Sequence, residues 1–552
     1  HHHPPVAAPA ESPASGRLFP PQPGRLLSGF GLSLLNNPAD TVGLSLYHGL
    51  HLNHRHFDRL HFDVFARGQA MMPDLGYPDA MNAMVPGIYT WSLATISHNT
   101  VTVDAAMQPG NEAGVVELQA EGGWVRAVTV NAPGTYPQCP VYRRTLVMVD
   151  AGSDRSYVVD FFDVTGGRQH DYSLHGPPGE FALSGDWTVP APGTLAGPDV
   201  PVGALYDDLA LASPDNKEGY AGYRGSGFQH LEKVRRHRGG EWAADYTHER
   251  DPAAQLRLRV LPQPDQELML AEARVSPVKW PQILRYVIAR RHGAAGLTSR
   301  FVSVVEPHAG TPFLRGAERH EAGGDTMVVV THQDGCTDVI LHGTPGTEHR
   351  WEVAGHAVVT DARVSVVTLD PDGAARRLWF ADGKQLTLDG VVHRASALIG
   401  RVQAVDLANA TVRVAPDAPV SPETAATLAG RIVHFGPERT TANSIASARV
   451  EAGELILTLR DDVITGCVRL RAVAPGRLDT ASRLMLAATY AGHGLRNAAG
   501  RFVGRVRAAG DDWIEPAAPL AAGDLSPGED VLVTLTSPGD RCEFPAVAAW
   551  RR

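Results

Sequence analysis

Cysteine is scarce in this chain and is never arranged as a redox or metal-binding motif. Only four cysteines occur among the 552 residues, and none of them forms a C-x-x-C pair. Neither a cysteine zinc site nor a thiol-disulfide active site is therefore indicated, and the compartment is left open. The four are Cys139, Cys336, Cys467 and Cys542.

Two further absences narrow the class of protein. No run of about 18 apolar residues occurs, so the sequence predicts no membrane-spanning helix. The formal net charge of -10 argues against a general nucleic-acid binder, because phosphate contacts need a clustered excess of Lys and Arg. An acidic polysaccharide would have to be held by a local basic patch. Three candidate patches occur, although the pattern of each favours solvated strand ends and loops. They are Arg143 and Arg144, then Arg235, Arg236 and Arg238, and finally Arg290 and Arg291.

Helical periodicity is nearly missing, and the short stretch PETAATLAGRI is its best candidate. Elsewhere, short apolar or alternating runs are broken by Gly, Pro, Asp and Asn, as in YRRTLVMVD, RSYVVDFFDV and EDVLVTLTS. That pattern is typical of antiparallel β structure. We therefore expect an all-β fold built from large stacked antiparallel sheets of the sandwich kind.

The composition divides the chain into three parts. Residues 1–23 have the pattern of a tag remnant followed by a Pro/Ala linker, without the charged-then-apolar order of a signal peptide. Residues 24–400 carry most of the alternating runs. Near residue 400 the sequence becomes rich in alanine, so residues 401–552 are predicted to form a second, smaller β domain.

The most informative segment is rich in histidine. Residues 47–68, YHGLHLNHRHFDRLHFDVFARG, contain His48, His51, His54, His56 and His61. Side chains at i and i+2 of a strand point the same way, so a strand here would place His54, His56 and Asp58 on one face. Leu, Phe and Val are interspersed among these histidines, which indicates burial, and burying several imidazoles without partners is costly. The pattern therefore favours a ligand-binding or hydrogen-bonding role over a merely polar run.

Two later segments could complete a metal site. Asp74 lies in MMPDLGY after an expected strand, and His98 and Asn99 interrupt the apolar β pattern of TISHNTVTVD. Two neutral imidazoles and one carboxylate, with a fourth position for water, are an accepted zinc set. Spacing alone does not show that these residues converge.

The order of these motifs resembles the C-terminal region of heparinase II/III-type polysaccharide lyases and the related oligoalginate lyases. The similarity extends from NHRHFDRLHFDVFARG through PDLGY, TISHNTVTVD, RRTLVMVD and YVVDFFDVTGGRQHDYSLHG to LTSRFVSVVEP, roughly residues 24 to 390. The H-x-H-x-D and S-H-N-T-V elements are the specific ones. Members of that family also carry an N-terminal incomplete (α/α) toroid, and nothing helical precedes residue 24 in this sequence. The resemblance therefore implies a helical partner domain that this chain lacks.

The resemblance implies a ligand set and a base. The matching positions for the zinc ligands are His56, Asp74 and His98, which would hold one divalent ion in a structural role. The first histidine of H-x-H-x-D faces the substrate cleft in the family, which implies His54 as the base or as a contact to the substrate carboxylate.

Further cleft residues are implied less specifically. A tyrosine of this half reaches the cleft in some members, and Tyr77 and Tyr89 are both candidates for it. Arg55, beside the proposed base, is a candidate substrate contact. His170 and His175, from GGRQHDYSLHG, are candidates as well, although a structural hydrogen-bonding role suits them equally.

The implied activity is cleavage of a uronic-acid-containing polysaccharide by β-elimination, in which a base removes the C5 proton and the C4 oxygen leaves. Family membership also implies a periplasmic or secreted location and an acidic polysaccharide partner, heparan sulfate, hyaluronan, chondroitin and alginate all being open. A uronyl C5-epimerase shares the proton abstraction, and a non-catalytic carbohydrate-binding or scaffold protein suits the missing toroid. A glycoside hydrolase is disfavoured because no pair of carboxylates stands out as acid and base.

Overall fold

Antiparallel strands make up nearly all of the regular structure, as the sequence predicts. The computed structural model describes residues 24–50, 56–76, 82–152, 154–275, 282–436, 439–484 and 487–552. Within these ranges the chain forms forty strands and one short α-helix. No helix in the described ranges is long and apolar enough to cross a membrane.

The first five strands form one antiparallel sheet in chain order. They are β1 (Arg25–Leu27), β2 (Leu32–Asn36), β3 (Val42–Tyr47), β4 (Phe62–Ala66) and β5 (Gln69–Ala70). The connection from β3 to β4 carries the end of the histidine-rich segment, and the loop after β5 carries Asp74.

The next thirteen strands form two further sheets. They are β6 (Val101–Val103), β7 (Val115–Gly122), β8 (Val125–Asn131), β9 (Val141–Asp150), β10 (Ser156–Thr165), β11 (Gln169–His175), β12 (Gly179–Ser184), β13 (Glu232–Arg236), β14 (Ala243–His248), β15 (Asp251–Leu261), β16 (Gln266–Arg274), β17 (Ile283–His292) and β18 (Thr298–His308). One sheet has eight strands in the order β12-β14-β15-β18-β10-β9-β8-β7, and the other has five in the order β13-β16-β17-β11-β6.

Short helical turns lie between some of these strands. A π-helix spans Ile88–Ser92, and 3-10 helices span Thr95–Ser97, Pro133–Thr135 and Phe228–His230, with another at Ala487–Thr489 near the C-terminus.

Strand β9, which contains the sequence YRRTLVMVD, has four consecutive apolar residues before its final aspartate. Leu146 and Met148 belong to the core between the eight-stranded and five-stranded sheets. Val147 and Val149 belong to a second core on the opposite face of the same strand. A strand buried on both faces has no solvent-facing positions, so the usual polar alternation disappears.

The second core is closed by strands that follow in the chain. They are β19 (Leu314–Ala322), β20 (Asp325–His332), β21 (Thr337–His342), β22 (His349–Val353), β23 (His356–Thr360), β24 (Val364–Leu369), β25 (Ala375–Ala381), β26 (Gln385–Leu388) and β27 (Val391–Arg394). Val328 and Val366 face the eight-stranded sheet, whereas Val339 and Val367 pack against a four-stranded sheet, β22-β23-β26-β27. The predicted stacking of antiparallel sheets is confirmed.

The smaller C-terminal β region consists of two closed six-stranded barrels. Their strands are β28 (Leu398–Asp406), β29 (Thr411–Pro416), β30 (Ile432–Phe435), β31 (Thr441–Glu451), β32 (Glu454–Leu459), β33 (Ile464–Ala474), β34 (Arg477–Thr480), β35 (Gly494–Asn497), β36 (Phe502–Gly510), β37 (Trp513–Pro516), β38 (Asp530–Thr534) and β39 (Arg541–Phe544). The second barrel, β33 to β38, is inserted between β32 and β39 of the first.

The helix predicted in PETAATLAGRI is present as α1 (Pro422–Ala426), between β29 and β30. Ser421 caps it by accepting a hydrogen bond from the backbone of Thr424 at 3.2 Å, and proline occupies its first turn. A serine cap followed by proline is a favourable start for a helix.

The chain finally leaves the barrels and rejoins the stacked sheets. The last strand, β40 (Val547–Arg551), pairs with β25 and completes a six-stranded sheet in the order β19-β20-β21-β24-β25-β40. The end of the predicted 401–552 region is therefore part of the preceding sheet stack, and the predicted boundary near residue 400 lies within β28.

Candidate metal centre

Residues 56–61 of the histidine-rich segment form a loop, so the strand that would place His56 and Asp58 on one face is wrong there. Residues 56–61 lead into β4 without forming a strand. Leu60 has a φ of 60°, and the N–H of His61 donates to the carbonyl of Asp58 at 2.8 Å. A left-handed residue inside a tight turn breaks the regular side-chain alternation of a strand.

The loops bring the three predicted ligands together with one further carboxylate. His56, Asp58, Asp74 and His98 each offer one ligand atom, and these atoms all lie within 4.8 Å of one another. The Oδ2 atom of Asp74 is 3.2 Å from Nδ1 of His56 and 3.2 Å from Nε2 of His98. The two imidazole nitrogens are 2.9 Å apart. Both histidines are buried, whereas Asp74 is partly exposed.

The geometry of this cluster suits a tetrahedral divalent ion. With zinc bonds of about 2.0–2.2 Å, tetrahedral ligand atoms lie roughly 3.3 Å apart. The separations of 2.9 to 3.2 Å are close to that value. Nδ1 of His98 donates to the carbonyl of Ala94 at 2.8 Å, which leaves the lone pair of Nε2 directed at the cluster. Such a second hydrogen bond is the usual way a protein orients a histidine ligand.

Electrostatics ties Asp74 to the two histidines. Burial alone would raise the pKa of Asp74, but the charges and hydrogen bonds of His56 and His98 hold it well below its usual range. Burial would lower the pKa of His56, but the charge and hydrogen bond of Asp74 more than offset this effect, so the pKa is raised. The carboxylate form of Asp74, which a metal ion requires, is thus the favoured one.

Asn99 fixes the loop that carries His98. Its side-chain amide donates to the carbonyls of Phe62 at 3.2 Å and Met72 at 3.3 Å, and its Oδ1 accepts from the backbone of His175 at 2.9 Å. Its own N–H donates to Nδ1 of His61 at 3.0 Å. One buried asparagine therefore links β4, the loop before Asp74 and β11.

Arg144 is a buried structural residue, so its assignment to a surface basic patch is wrong. Its side chain is 0% exposed and donates to the carbonyls of Leu60 and Asn99, each at 2.5 Å. Its Nε atom donates to Asp160 at 2.9 Å, and the guanidinium lies 4.2 Å from the ring of Phe62. Because Leu60 and Asn99 directly follow ligand-bearing segments, Arg144 ties two of the metal-binding loops together. The sequence signal for this burial was the position of Arg144 in a strand that is apolar on both faces.

Several arginines of the other candidate patches are paired with carboxylates. Arg290 forms a salt bridge with the buried Asp171. Arg236 lies 2.5 Å from Glu267, and Arg238 lies 3.5 Å from Asp186. These pairs reduce the positive charge that each patch could offer to an acidic polymer.

His170 and His175 are both fully buried. Both ring nitrogens of His170 are bonded, to Ser299 at 2.8 Å and to the Gly166 carbonyl at 2.6 Å. Nδ1 of His175 donates to the Gly176 carbonyl at 3.0 Å. Burial lowers the pKa of each ring to about 4. Of the two roles expected for these residues, the contacts favour the structural one.

Tyr89 lies in the π-helix Ile88–Ser92 and is partly buried against a core cluster that includes Trp91. The other sequence-predicted cleft residues, His54, Arg55 and Tyr77, lie outside the described residues.

Comparison with known families shows what the part of the chain that holds this cluster is similar to. Residues 26–274, a little under half of the chain, match the family described as Heparinase II/III-like, C-terminal. This part of the chain is therefore similar to the C-terminal domain of that family. No curated protein matches the chain.

Two solved structures are among those to which the chain is similar. Heparinase III is 14% identical with a TM-score of 0.40, the similarity covering 58% of this chain and 43% of that protein. Heparan sulfate lyase HepC from Pedobacter heparinus is 15% identical with a TM-score of 0.38, covering 59% and 43%. The chain thus matches about two fifths of the length of each of these proteins.

Proposed function

We propose that this chain is the metal-binding β part of a polysaccharide lyase that cleaves a uronic-acid-containing polysaccharide by β-elimination. The observation that carries the proposal is the convergence of His56, Asp74 and His98 inside the segment that matches the heparinase II/III-like family. The protein acts, in this proposal, outside the cytoplasm, in the periplasm or as a secreted protein, where its acidic polysaccharide substrate is found.

The proposed ion is zinc, held by His56, Asp74 and His98. Two imidazoles and a carboxylate are a common zinc set, and magnesium and calcium prefer oxygen ligands alone. Bound zinc would supply binding energy that holds the loops together. The histidine loop, the loop after β5 and the segment before β6 are otherwise joined by hydrogen bonds through Arg144 and Asn99.

The proposed base is His54, two residues before His56. It would take the C5 proton of the uronate, and a neutral imidazole has a pKa close to the working pH for that step. Tyr89 or Tyr77 would return a proton to the departing C4 oxygen. Arg55 would donate hydrogen bonds to the uronate carboxylate, which must be neutralised as negative charge develops on it.

A single β wall is insufficient for this reaction. β-Elimination needs a carboxylate clamp and a proton donor on both sides of the sugar, held within hydrogen-bonding reach. We therefore include in the proposal a helical toroid domain that supplies the opposite wall of the cleft.

An assay of the unsaturated product tests this function. The chain would be combined with a heparinase-type helical domain and incubated with heparan sulfate, hyaluronan, chondroitin and alginate, while ultraviolet absorbance is followed. Product formation that is lost in His54→Ala supports the lyase. Exchange of the C5 proton with deuterated solvent, without unsaturated product, would indicate an epimerase instead. Binding with neither reaction would indicate a non-catalytic carbohydrate-binding protein.

A further inference from the structure

The carboxylate of Asp58 is buried without the hydrogen-bond or ion-pair partners that burial of a charge requires among the described residues. It is 9% exposed, and within the described part of the chain no hydrogen bond or ion pair reaches its side chain. Its neighbour Asp63 accepts hydrogen bonds from Ser45 at 2.6 Å and His61 at 3.2 Å. A buried carboxylate is costly unless it is paired or coordinates a metal. A cation bound beside Asp58 would therefore stabilise its charged form.

The position of Asp58 indicates where that cation would bind. Its carboxylate oxygen lies within 4.8 Å of the ligand atoms of His56, Asp74 and His98. It is two residues after His56 on the same loop, and the turn in which the Asp58 carbonyl accepts from the N–H of His61 holds this part of the loop in shape. One ion at the centre of the cluster could contact all four side chains.

Charge balance favours the same arrangement. Two carboxylates, Asp58 and Asp74, share a confined site, and like charges at such distances repel unless a cation lies between them. A divalent ion with two carboxylates and two neutral imidazoles forms a neutral unit. The three-ligand set without Asp58 would leave one positive charge on the metal and one negative charge on a nearby buried carboxylate.

We propose that Asp58 is the fourth protein ligand of the metal and closes its tetrahedral coordination sphere. This inference rests on the proposed metal centre. Closed four-ligand sites are structural, whereas catalytic zinc keeps one position open for water or substrate. With Asp58 bound, the ion ties three loops together, and proton transfer is left to side chains outside the coordination sphere.

Zinc affinity tests this assignment. The dissociation constant of the full chain would be measured by competition with a chromophoric chelator for wild type, Asp58→Asn and a control, Asp338→Asn. Asp338 is fully buried, but it accepts hydrogen bonds from Tyr157 and His332, each at 2.8 Å, at another core of the molecule. Loss of an outer hydrogen-bond partner of a metal site costs about 10–100-fold in affinity, so loss of a ligand should cost more than about 100-fold. Asp338→Asn should leave the affinity unchanged.

The outcomes separate this inference from the metal centre itself. A wild type that binds one zinc, with Asp58→Asn weakened by less than about 100-fold, would overturn the role of Asp58 and leave a three-ligand site. A wild type that binds no zinc would overturn both. If Asp58→Asn does not fold, the cobalt-loaded wild type gives the answer. A closed site keeps its visible spectrum when azide is added, whereas a spectral change would show an open coordination position and contradict the proposal.

Discussion

Arg144 and Asn99 fix the loops that carry the side chains of the candidate metal centre. The guanidinium of Arg144 bonds to the carbonyls that follow the His56 loop and His98, and the amide of Asn99 bonds to the carbonyls of Phe62 and Met72. Loops ordinarily place side chains loosely, and a metal site needs its ligands held to within a fraction of an ångström. These two buried residues supply that rigidity to loops that have no strand pairing of their own.

Replacing Arg144 with leucine should lower the free energy of unfolding by about 3–5 kcal/mol, because Asp160 would remain buried without its cation. Asp160 is 0% exposed in the native protein. Urea unfolding measures the change, and the double variant Arg144→Leu with Asp160→Leu should recover part of it. A loss below about 1 kcal/mol, typical of an exposed ion pair, would contradict this role.

His54→Ala and His56→Ala should separate chemistry from stability. His56→Ala should lower the zinc-loaded melting temperature, because a lost ligand forfeits metal-binding energy that contributes to folding. His54→Ala should leave the melting temperature unchanged. Thermal melts with and without zinc measure both variants, and equal zinc-dependent shifts for the two would refute the division of roles.

Elements buried on regular faces could be predicted from the sequence, and the loop at the centre of the site could not. The strands β9 and β10 follow directly from YRRTLVMVD and RSYVVDFFDV, because burial of both faces leaves an apolar signature. The H-x-H-x-D segment has the same alternation as a strand, yet its described part is a loop. Its shape depends on Leu60 and on Arg144, which lies more than 80 positions away along the chain. Local pattern contains no information about such a contact, so only the family resemblance pointed to His56, Asp74 and His98 as one set, which the loops bring together.

The edge of the six-stranded sheet depends on the last strand. Deleting residues 547–552 should lower the melting temperature by several degrees and promote aggregation, because β25 would become an unprotected edge. The deletion also removes Trp550, whose ring stacks on Phe380 with centroids 5.6 Å apart. Thermal melts and light scattering measure both effects. Arg552→Ala serves as the control, and a deletion that behaves like this control would contradict the role of β40.

At the scale of the whole molecule, the stacked sheets and the first barrel bury histidines that do not belong to the candidate metal centre. A five-stranded, an eight-stranded, a six-stranded and a four-stranded sheet succeed one another, with cores between each pair. Burial lowers the pKa of one group of ring side chains to about 4, namely His48, His170 and His230, and of a second group to about 3, namely His342 and His434. These rings fold in the neutral form, so the fold contains its own sensitivity to acid.

The direction in which stability changes with pH follows from the difference between the histidine pKa values in the folded and unfolded states. An unfolded histidine titrates near 6.5, and His342 in the folded protein titrates near 3, so the unfolded state binds more protons between these values. The contribution of each such histidine to stability is fully present above pH 6.5 and is lost as the pH falls, by up to about 1.4 kcal/mol per pH unit.

His342→Phe, in which the new ring can keep the stacking on Phe161 at 4.6 Å, should reduce this slope by about that amount. Urea unfolding between pH 4 and 7, roughly the range in which these groups differ, measures it. An unchanged slope would show that His342 is not buried in its neutral form.

Metal stoichiometry of the purified protein tests the metal centre most directly. Elemental analysis after extensive dialysis should find one zinc per chain in the wild type, and far less in His56→Ala, Asp74→Ala and His98→Ala. Cys467→Ser, which alters an exposed thiol far along the chain, should retain the metal. A wild type without stoichiometric metal, or ligand variants that keep their zinc, would contradict the assignment of this cluster as a metal centre.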